Sequence, residues 1–336
     1  MKNFLSCDWG TSFFRLWYVE FGVKFVSVGN SEGIASTFES WKQKRKSEDE
    51  RFLFFRNVIH DHIGKLEYSL GASLKDIPVV ISGMASSSIG MMEIPYKESP
   101  FKADGSDLRF VKINATRDFN HDIFIISGVK TGNDVLRGEE TQLAGCIKSS
   151  NSEALYILPG THSKHIVVKK GLAVSFKTYM TGEFFELLSK KSILSSSVDS
   201  SGRFSKKENK QAFVKGVKES ERSNLLHSSF LVRTNQLLKK VNAVNNYYYL
   251  SGLLIGTELA ECKKMRMPIR LIASGDLRQL YVSAFKELGL KNVRSTESLG
   301  ALWRGQLKIV RINPEKQNKG PRNKIQKPNK LQSRKK

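Results

Sequence analysis

The stretch FLSCDWGTSFFRLW, residues 4–17, decides the fold. An apolar strand runs into Asp8, a turn of small and hydroxyl residues follows at Gly10, Thr11 and Ser12, and a second strand begins. Such a turn can aim backbone N–H groups and hydroxyls at one point, which suits a phosphate. Asp8, at the strand end, is placed to hold a phosphate-bound Mg²⁺, partly through water. An ordinary hairpin turn would contain the same residues, so this stretch alone leaves both interpretations open.

A second segment, LYILPGTHSKHIVV at residues 155–168, has the same form of strand, turn and strand. Its turn carries Gly160, Thr161, His162 and Lys164. Two such turns facing each other across a cleft would grip a triphosphate from both sides. Lys164 would add a point charge, and His162 would add a donor for developing phosphoryl charge. The duplication therefore favours a phosphate-binding site over two unrelated hairpins.

Five blocks in this order resemble the 2-dehydro-3-deoxygalactonokinase family of sugar-acid kinases. They are CDWGTS (7–12) with Arg15, VLRGEETQL (135–143), LPGTHSK (158–164), FKTYMTGE (176–183) and SGLLIG (251–256). The resemblance spans about residues 3–305, and the second and fourth blocks are specific to the family. The two phosphate turns alone would indicate only the actin/hexokinase/chaperone ATPase superfamily.

The resemblance implies an α/β protein with a two-domain actin-like ATPase (ribonuclease H-like) fold and an active site in the cleft between domains. It implies ATP and Mg²⁺ as cofactors, with Arg15 among the residues near the ATP phosphates. The implied substrate is 2-dehydro-3-deoxy-D-galactonate, phosphorylated on its terminal 6-hydroxyl in galactonate breakdown.

The order of strands and helices fits two α/β domains. We expect an N-terminal domain over residues 1–150 and a C-terminal domain over 151–294. By resemblance, a returning helix at 295–310 packs on the first domain. Residues 311–336 are nearly devoid of apolar side chains and are expected to be disordered.

The formal net charge is +23 among 336 residues, with 55 Lys or Arg against 32 Asp or Glu. The segment 311–336 contributes ten of the basic residues and one acid, Glu315. A basic protein attracts anionic substrates such as ATP and a sugar acid, and it also attracts nucleic acid without specificity. We expect weak non-specific binding of nucleic acid by the tail, and no specific partner of that class. The sequence does not determine the oligomeric state.

The composition argues against several other classes of protein. The 40% apolar content is typical of globular proteins, and no apolar run has the length of a membrane-spanning helix. We expect no signal peptide, because the strand that contains Asp8 begins almost at once. Three widely spaced cysteines predict neither a disulfide framework nor a zinc site, and a cytoplasmic location follows as the expectation.

Periodicity predicts three antiparallel strands over residues 3–29, turning near Gly10 and Gly22, and a charged loop at 41–51 before a helix. Further strands are expected at 78–81, 122–126 and 269–273. Helices are expected at 139–147, 181–191, 249–262 and 299–309, and another after 275. Thr181 and Asp276 are predicted as helix caps, and residues 192–209 as a mobile surface loop.

Phosphoryl transfer often uses one base to take the proton of the acceptor alcohol. Glu139 and Glu140 are candidates because they open a predicted helix, although acids in a first turn also serve as simple stabilisers. Asp8 is a third candidate, as metal holder, base or both. Asp134 is a further candidate that the family pattern does not require.

The predicted substrate-binding residues include Arg137, whose guanidinium suits the carboxylate of a keto acid. Ser82, Gly83 and Met84 open a run of small and hydroxyl residues that can line a sugar pocket. In that run, this chain has serine at 86 and 88, where the family pattern has glycine and asparagine, which leaves its selectivity for sugar hydroxyls open. Glu183 either faces substrate or occupies only a helix first turn.

The adenosine end of the nucleotide is predicted at Ser274 and Gly275, where a strand breaks before a helix. An ordinary strand-to-helix turn would look the same. Two other functions stay open from sequence: a kinase of another 2-keto-3-deoxy sugar acid, and a nucleic-acid-binding regulator with a kinase-like fold. The tail lacks aromatic residues, which counts against single-strand binding.

Overall fold

The structure is a computed structural model that describes residues 3–20, 25–44, 47–148, 153–312 and 317–319. The strands are β1 (Phe4–Trp9), β2 (Phe14–Val19), β3 (Phe25–Asn30), β4 (Val79–Gly83), β5 (Lys97–Glu98), β6 (Phe101–Lys102), β7 (Phe110–Ile113), β8 (Ile123–Ile126), β9 (Val129–Lys130), β10 (Val135–Leu136), β11 (Ala154–Leu158), β12 (Ser163–Lys169), β13 (Leu172–Tyr179), β14 (Ile269–Ile272), β15 (Val293–Thr296) and β16 (Gln317–Lys319). The helices are α1 (Ile34–Gln43), α2 (Glu48–Leu70), α3 (Glu139–Cys146), α4 (Thr181–Lys191), α5 (Lys207–Ser220), α6 (Leu225–Lys239), α7 (Ala243–Leu259), α8 (Gly275–Glu287) and α9 (Ser298–Ile312).

The two principal sheets repeat one strand order. In the first, β3, β2 and β1 pair antiparallel, and β4 and β8 continue parallel to β1. In the second, β13, β12 and β11 pair antiparallel, and β14 and β15 continue parallel to β11. The chain is therefore an actin-like α/β protein in which each half begins with a strand–turn–strand unit that carries one predicted phosphate turn.

One of the additional strands, β6, joins the two halves. Strands β7 and β16 extend the first sheet, whereas β6 crosses to the second sheet and pairs with β13. A separate small sheet contains β10, β9 and β5. Residues before 150 thus contribute a strand to the second sheet, a long-range pairing that strand periodicity does not reveal.

Helices α3 and α9 lie in a hydrophobic core that also takes side chains from both principal sheets. The two helices cross closely: a Cβ built on Gly145 would lie 1.8 Å from the carbonyl oxygen of Ala301. Helix α9 also contacts the first sheet, where Gln306 accepts from the Ser6 hydroxyl at 2.6 Å and donates to the carbonyl oxygen of Cys7 at 3.0 Å. The last helix therefore connects the second half back to β1.

We expect Gly305→Ala to lower the free energy of unfolding by about 2 kcal/mol or more, because overpacked sites force backbone shifts. The added Cβ would lie 1.8 Å from the carbonyl oxygen of Thr141. Gly64→Ala in α2 is the matched control, since a Cβ there meets no heavy atom within 4 Å, and alanine should raise helix stability by up to about 1 kcal/mol. Urea denaturation measures both changes; equal effects would contradict the close α3–α9 crossing.

The predicted secondary structure is wrong in four places. Residues 41–51 are not one loop, because α1 runs to Gln43 and α2 begins at Glu48. The predicted mobile loop at 192–209 contains a short 3₁₀ helix with Leu194 and Ser197 buried, and α5 begins within it. Thr181 is not the cap of α4, whose N-cap is Met180. Helix α8 starts after Ser274, so Asp276 lies in its first turn rather than capping it.

The predicted disordered tail is described only in part. Helix α9 continues to Ile312, beyond the expected end at 309–310, and Gln317–Lys319 form a strand parallel to β7. The predicted disorder over 313–316 and 320–336, and the predicted turn near Gly22, lie outside the described residues. Within the described ranges, no helix combines the length and the apolar content needed to cross a membrane.

Candidate active site

The first turn, between β1 and β2, leaves Thr11 and Ser12 exposed. The Gly10 N–H donates to the carbonyl oxygen of Phe13 at 2.9 Å, which closes the turn. Helix α1 begins against the same turn, where the N–H of Ile34 donates to the carbonyl oxygen of Gly10 at 2.9 Å. Because the start of α1 is hydrogen-bonded to the backbone of the turn, the exposed hydroxyls of Thr11 and Ser12 are held on a rigid support.

The second turn, between β11 and β12, resembles the first. Thr161 and His162 are exposed, and a Cβ built on Gly160 would meet nothing within 4 Å, so a ligand could approach its backbone closely. The start of α4 packs against the turn: a Cβ on Gly182 would lie 2.5 Å from the carbonyl oxygen of Gly160. The second turn is therefore also supported by a helix start, and the side of it at Gly160 is open to a ligand.

Charged groups from both halves of the chain converge between the turns. Asp8 and Arg15 are directly opposite each other in the β1–β2 register. Burial raises the pKa of the Asp8 carboxyl to about 6; the Arg15 guanidinium lowers it, and the Glu139 carboxylate raises it. Burial also raises the pKa of Glu139, whereas Lys164 and His162 lower it. The structure thus brings together two carboxyls of the first half and two nitrogen bases of the second.

The two adjacent glutamates at the start of α3 have different surroundings. The Glu140 carboxylate is buried and accepts from the Gly138 N–H at 2.8 Å and from the Thr141 hydroxyl at 2.9 Å. Burial, followed by the charge of Glu139, raises the pKa of Glu140 to about 7. Glu139 accepts from the N–H of Arg137 at 2.8 Å and interacts with Lys164 across the cleft. The geometry therefore favours Glu139 over Glu140 as a group that meets substrate.

A close contact between glycines brings α3 to the end of β1. Gly138 has φ +109°, which a side chain would strain, and its Cβ would lie 3.4 Å from the Cα of Gly83. Gly83 is in turn paired with Trp9 in the parallel β1–β4 register. The start of α3 consequently lies one strand away from Asp8, which explains the influence of Glu139 on the Asp8 carboxyl.

Arg137 is held in one orientation beside this cluster. Its Nε donates to the Tyr96 hydroxyl at 2.9 Å, and its guanidinium carbon lies 4.1 Å from the centroid of the Tyr96 ring. A terminal guanidinium nitrogen donates to Ser86 Oγ at 2.8 Å. The serine that departs from the family pattern therefore orients Arg137 and does not simply line a pocket.

The predicted sugar-pocket run is mostly turned inward. Ser82 is buried, and its hydroxyl accepts from Gln306 Nε2 at 3.0 Å, under α9. Gly83 is buried against β1, and Met84 packs against the core of the first sheet. Ser82 therefore has a structural partner where the sequence predicts a substrate contact, since its hydroxyl is used to hold α9.

The second turn has two further polar neighbours. Glu183 lies 2.5 Å from His162 through Oε2 and Nε2, so it positions the imidazole rather than extending alone into the cleft. Lys164 is nearly buried, and its Nζ donates to Thr178 Oγ1 at 2.8 Å. Thr178 Oγ1 donates to Asp134 at 2.6 Å, which joins β13 to the hairpin before α3. Asp134 thus links the two halves.

The predicted adenosine seat lies at the same sheet edge as the second turn. Strands β11 and β14 are parallel neighbours, so the segments that follow them, 159–162 and 273–275, leave the sheet side by side. Ser274 Oγ lies 2.8 Å from Ser298 Oγ, and the surroundings of Gly275 are open within 4 Å. A nucleotide could therefore extend from the turn to the start of α8.

Sequence reasoning missed Tyr96, Gln306 and Glu258. Tyr96 and Gln306 each act on a predicted site residue from a distant segment, which a single sequence does not reveal. Glu258 is 3% exposed on α7. The sequence does contain a signal for Glu258, because an acidic residue within the largely apolar run 247–259 needs buried hydrogen-bond partners.

Comparison with known proteins identifies the family of this chain. The model of the 2-keto-3-deoxy-galactonokinase family matches residues 8–309. A probable 2-dehydro-3-deoxygalactonokinase of Rhizobium meliloti (strain 1021) is 30% identical over 315 residues, which cover 90% of this chain and 94% of the relative. A 2-dehydro-3-deoxygalactonokinase of Escherichia coli (strain K12) is 32% identical over 222 residues, or 63% of this chain and 71% of the relative.

One crystal structure is similar to this chain in fold as well as in sequence. It contains a protein from Sinorhizobium meliloti that is provisionally assigned as a 2-dehydro-3-deoxygalactonokinase. The TM-score is 0.75 at 28% identity, with 92% of this chain and 96% of that chain covered. The similarity therefore extends over both halves and is not confined to the turns.

Proposed function

This chain belongs to the 2-keto-3-deoxy-galactonokinase family, and from that premise we propose an assignment of roles within its cleft. The enzyme is an ATP-dependent sugar-acid kinase of galactonate catabolism. We propose that it transfers the terminal phosphoryl group of ATP to the 6-hydroxyl of 2-dehydro-3-deoxy-D-galactonate. The observation that carries the assignment is the convergence of Asp8, Arg15 and Glu139 with His162 and Lys164 between two phosphate-type turns.

The ATP phosphates would lie between the two turns. Thr11 and Ser12 offer hydroxyls from one side, and Thr161 and His162 offer donors from the other. Arg15 and Lys164 supply positive charge, which such a site needs because phosphoryl transfer is catalysed mainly by positioning and charge neutralisation. Thr178 holds the Lys164 ammonium in place, so this charge is fixed before the nucleotide arrives.

The same cluster fits a magnesium ion. The Glu139 carboxylate raises the pKa of Asp8, and a cation between these carboxyls and the phosphates would relieve that repulsion. Mg²⁺ typically uses one or two carboxylates and retains several waters, so it does not need a closed cage of protein ligands. Asp8 would hold the ion, partly through water. When bound, the ion would neutralise phosphate charge.

Glu139 is the proposed base that takes the proton of the acceptor hydroxyl. The Arg137 N–H fixes its carboxylate at 2.8 Å, and Lys164 and His162 face it from the other half. Burial raises its pKa toward working pH, which suits proton transfer. Closure of the halves over both substrates would exclude water and limit wasteful hydrolysis of ATP.

Arg137 is the proposed reader of the substrate carboxylate. Tyr96 and Ser86 restrain its guanidinium, so little side-chain entropy is lost when a carboxylate binds. The proposed adenosine seat is Ser274 and Gly275, at the open start of α8. These roles leave Glu183 to orient His162 and Ser82 to hold α9.

The assignment is tested by a screen of ADP release with 2-keto-3-deoxy acids and simple aldoses. We expect turnover with 2-dehydro-3-deoxy-D-galactonate to exceed turnover with every aldose. Turnover that peaks with another 2-keto-3-deoxy acid would reassign the substrate but keep the reaction class. Turnover with aldoses alone would contradict the role of Arg137.

Lys164→Ala and Thr161→Ala should weaken the use of ATP more than the use of sugar acid, because both residues belong to the proposed phosphate turn. We expect the KM for ATP to rise by about tenfold or more for Lys164→Ala, since a charge-assisted contact is lost. Steady-state kinetics with each substrate varied in turn measures the difference. A rise confined to the KM of the sugar acid would contradict the assignment of this turn to the ATP phosphates and would assign it to the sugar acid.

We also propose a cytoplasmic location, which the free cysteines Cys7, Cys146 and Cys262 support. The basic segment after 312 is proposed as a weak, non-specific anion binder that is separate from catalysis. Salt-sensitive retention on heparin that is lost on deletion of 313–336, with kinase activity intact, would support this separation. Loss of activity on the same deletion would contradict it.

A further inference from the structure

Glu258, on α7, has a buried carboxylate directly beneath the second turn. Its Oε1 accepts from His165 Nε2 at 2.9 Å, and its Oε2 accepts from Thr181 Oγ1 at 2.5 Å and from the Tyr281 hydroxyl at 2.6 Å. Glu258, His165 and Tyr281 are each no more than 3% exposed. A carboxylate is retained at such depth only when several donors face it.

The hydrogen bonds that connect the second turn to Glu258 all donate toward the Glu258 carboxylate. Burial and then the Glu258 charge raise the pKa of the Tyr281 phenol well above its usual value. The phenol therefore stays protonated, and its O–H donates a hydrogen bond to Glu258. Ser163 Oγ, 3.0 Å from the Tyr281 oxygen, must then donate to that oxygen. The Gly160 N–H points at Ser163 Oγ at 3.4 Å. A polarised chain thus runs from the second turn to the buried carboxylate.

The chain and its branches connect separate elements. Ser163 is the first residue of β12 and directly follows the second turn, Thr181 is the first residue of α4, and Tyr281 lies two turns into α8, the helix that starts at the proposed adenosine seat. The hydroxyls of Thr181 and Tyr281 bond directly to Glu258, and the hydroxyl of Ser163 reaches it through Tyr281. Moving any one of these elements would leave a buried donor or acceptor without its partner, which is costly.

We propose that Glu258 is a positioning residue for the nucleotide, which fixes the phosphate turn relative to the starts of α4 and α8 so that one ATP molecule meets both. The proposal rests on the proposed role of the second turn in ATP binding. It assigns to Glu258, Tyr281 and Thr181 an effect on nucleotide affinity, although none of them touches the ligand. The sugar acid, held from the other half, should be unaffected.

Tyr281→Phe is the direct test, because it removes one hydroxyl and keeps the ring packed. Tyr248→Phe is the matched control: Tyr248 is also buried, lies on α7 itself, and donates to the carbonyl oxygen of Gly202 at 2.8 Å, away from the network. Calorimetry with magnesium and a non-hydrolysable ATP analogue, without sugar acid, gives the nucleotide affinity. Thermal unfolding gives the stability of each variant.

We expect Tyr281→Phe to weaken analogue binding about tenfold, with less than a twofold change in the KM of the sugar acid. Tyr248→Phe should lower the melting temperature comparably and leave analogue binding unchanged. Equal loss of affinity in both variants, or unchanged affinity in Tyr281→Phe, would overturn the proposal. Since the calorimetry needs no sugar acid, a wild-type enzyme that binds the analogue but does not phosphorylate the expected substrate would refute the proposed function alone.

Thr181 supplies an independent test from another element. Thr181→Val removes the donor to Glu258 at nearly constant volume, whereas Thr181→Ser keeps a hydroxyl. We expect Thr181→Val to weaken analogue binding severalfold and Thr181→Ser to retain the wild-type value. Valine keeps the γ-methyl group of threonine and lacks only its hydroxyl, so wild-type binding in Thr181→Val, or weakening confined to Thr181→Ser, would contradict a role for the hydrogen bond.

Discussion

Asp8→Asn should reduce kcat by at least about a thousandfold, which corresponds to about 4 kcal/mol of lost transition-state stabilisation. The carboxylate stands opposite Arg15 and within the field of Glu139, where the phosphates are proposed to bind. The substitution should not unfold the protein. Because burial raises the pKa of Asp8 to about 6, its ionised form destabilises the fold at pH 8, and asparagine should raise the unfolding free energy by up to about 3 kcal/mol.

Asp122→Asn is the matched control for this prediction. Asp122 precedes β8 at the far end of the first sheet, accepts from the N–H of Ala115 at 2.9 Å and pairs with Lys112 at 2.8 Å. Burial raises the pKa of Asp122, but these partners together outweigh burial and lower the pKa in the folded state, so loss of the carboxylate should reduce stability at neutral pH and leave kcat unchanged. Turnover assays and urea denaturation at pH 8 measure both properties. Wild-type turnover in Asp8→Asn would remove Asp8 from the site.

Arg137→Ala should cost about 2–4 kcal/mol in kcat/KM for the keto acid, because a charge-assisted pair is lost and the substrate carboxylate is left without a partner. A neutral analogue without the carboxylate, although poorly used, should be affected far less. The physical basis is the fixed guanidinium, which lies 4.1 Å from the Tyr96 ring centroid and is bonded to Ser86. Steady-state kinetics with both substrates measures the difference.

Tyr96→Phe provides the graded comparison for Arg137. It removes the hydrogen bond to Nε at 2.9 Å and retains the stacked ring, so we expect a smaller loss that is again confined to the charged substrate. Equal losses for charged and neutral substrates in Arg137→Ala would assign this arginine to an ATP phosphate or to structure.

The two hairpins and their turns could be predicted because their signals are local. Alternation and small turn residues lie within a dozen positions of each other at Asp8 and again at Gly160, and the strands form as expected. The start of α3 was also predictable, since Glu139 and Glu140 follow Gly138 directly. What separates the two glutamates was not predictable: only the fold turns Glu140 onto the Gly138 N–H and Glu139 toward Lys164.

The errors arise where distant segments decide the local structure. Residues 192–209 read as a loop because they are rich in serine and lysine, but Ser197 donates to Gln236, thirty-nine positions away. Thr181 resembles a helix cap, yet its hydroxyl donates to Glu258 instead. In each case a long-range hydrogen bond outweighs a valid local preference.

The most direct test of a kinase cleft that joins both turns to Arg137 is phosphorus NMR of the product formed from ATP and 2-dehydro-3-deoxy-D-galactonate. We expect one phosphate ester, on the terminal 6-hydroxyl, to appear in step with ADP, because Arg137 is proposed to hold the carboxylate end of the substrate and to leave the opposite end near Glu139. Inorganic phosphate in place of the ester, or an ester on another hydroxyl, would contradict the proposed positions of Arg137 and Glu139.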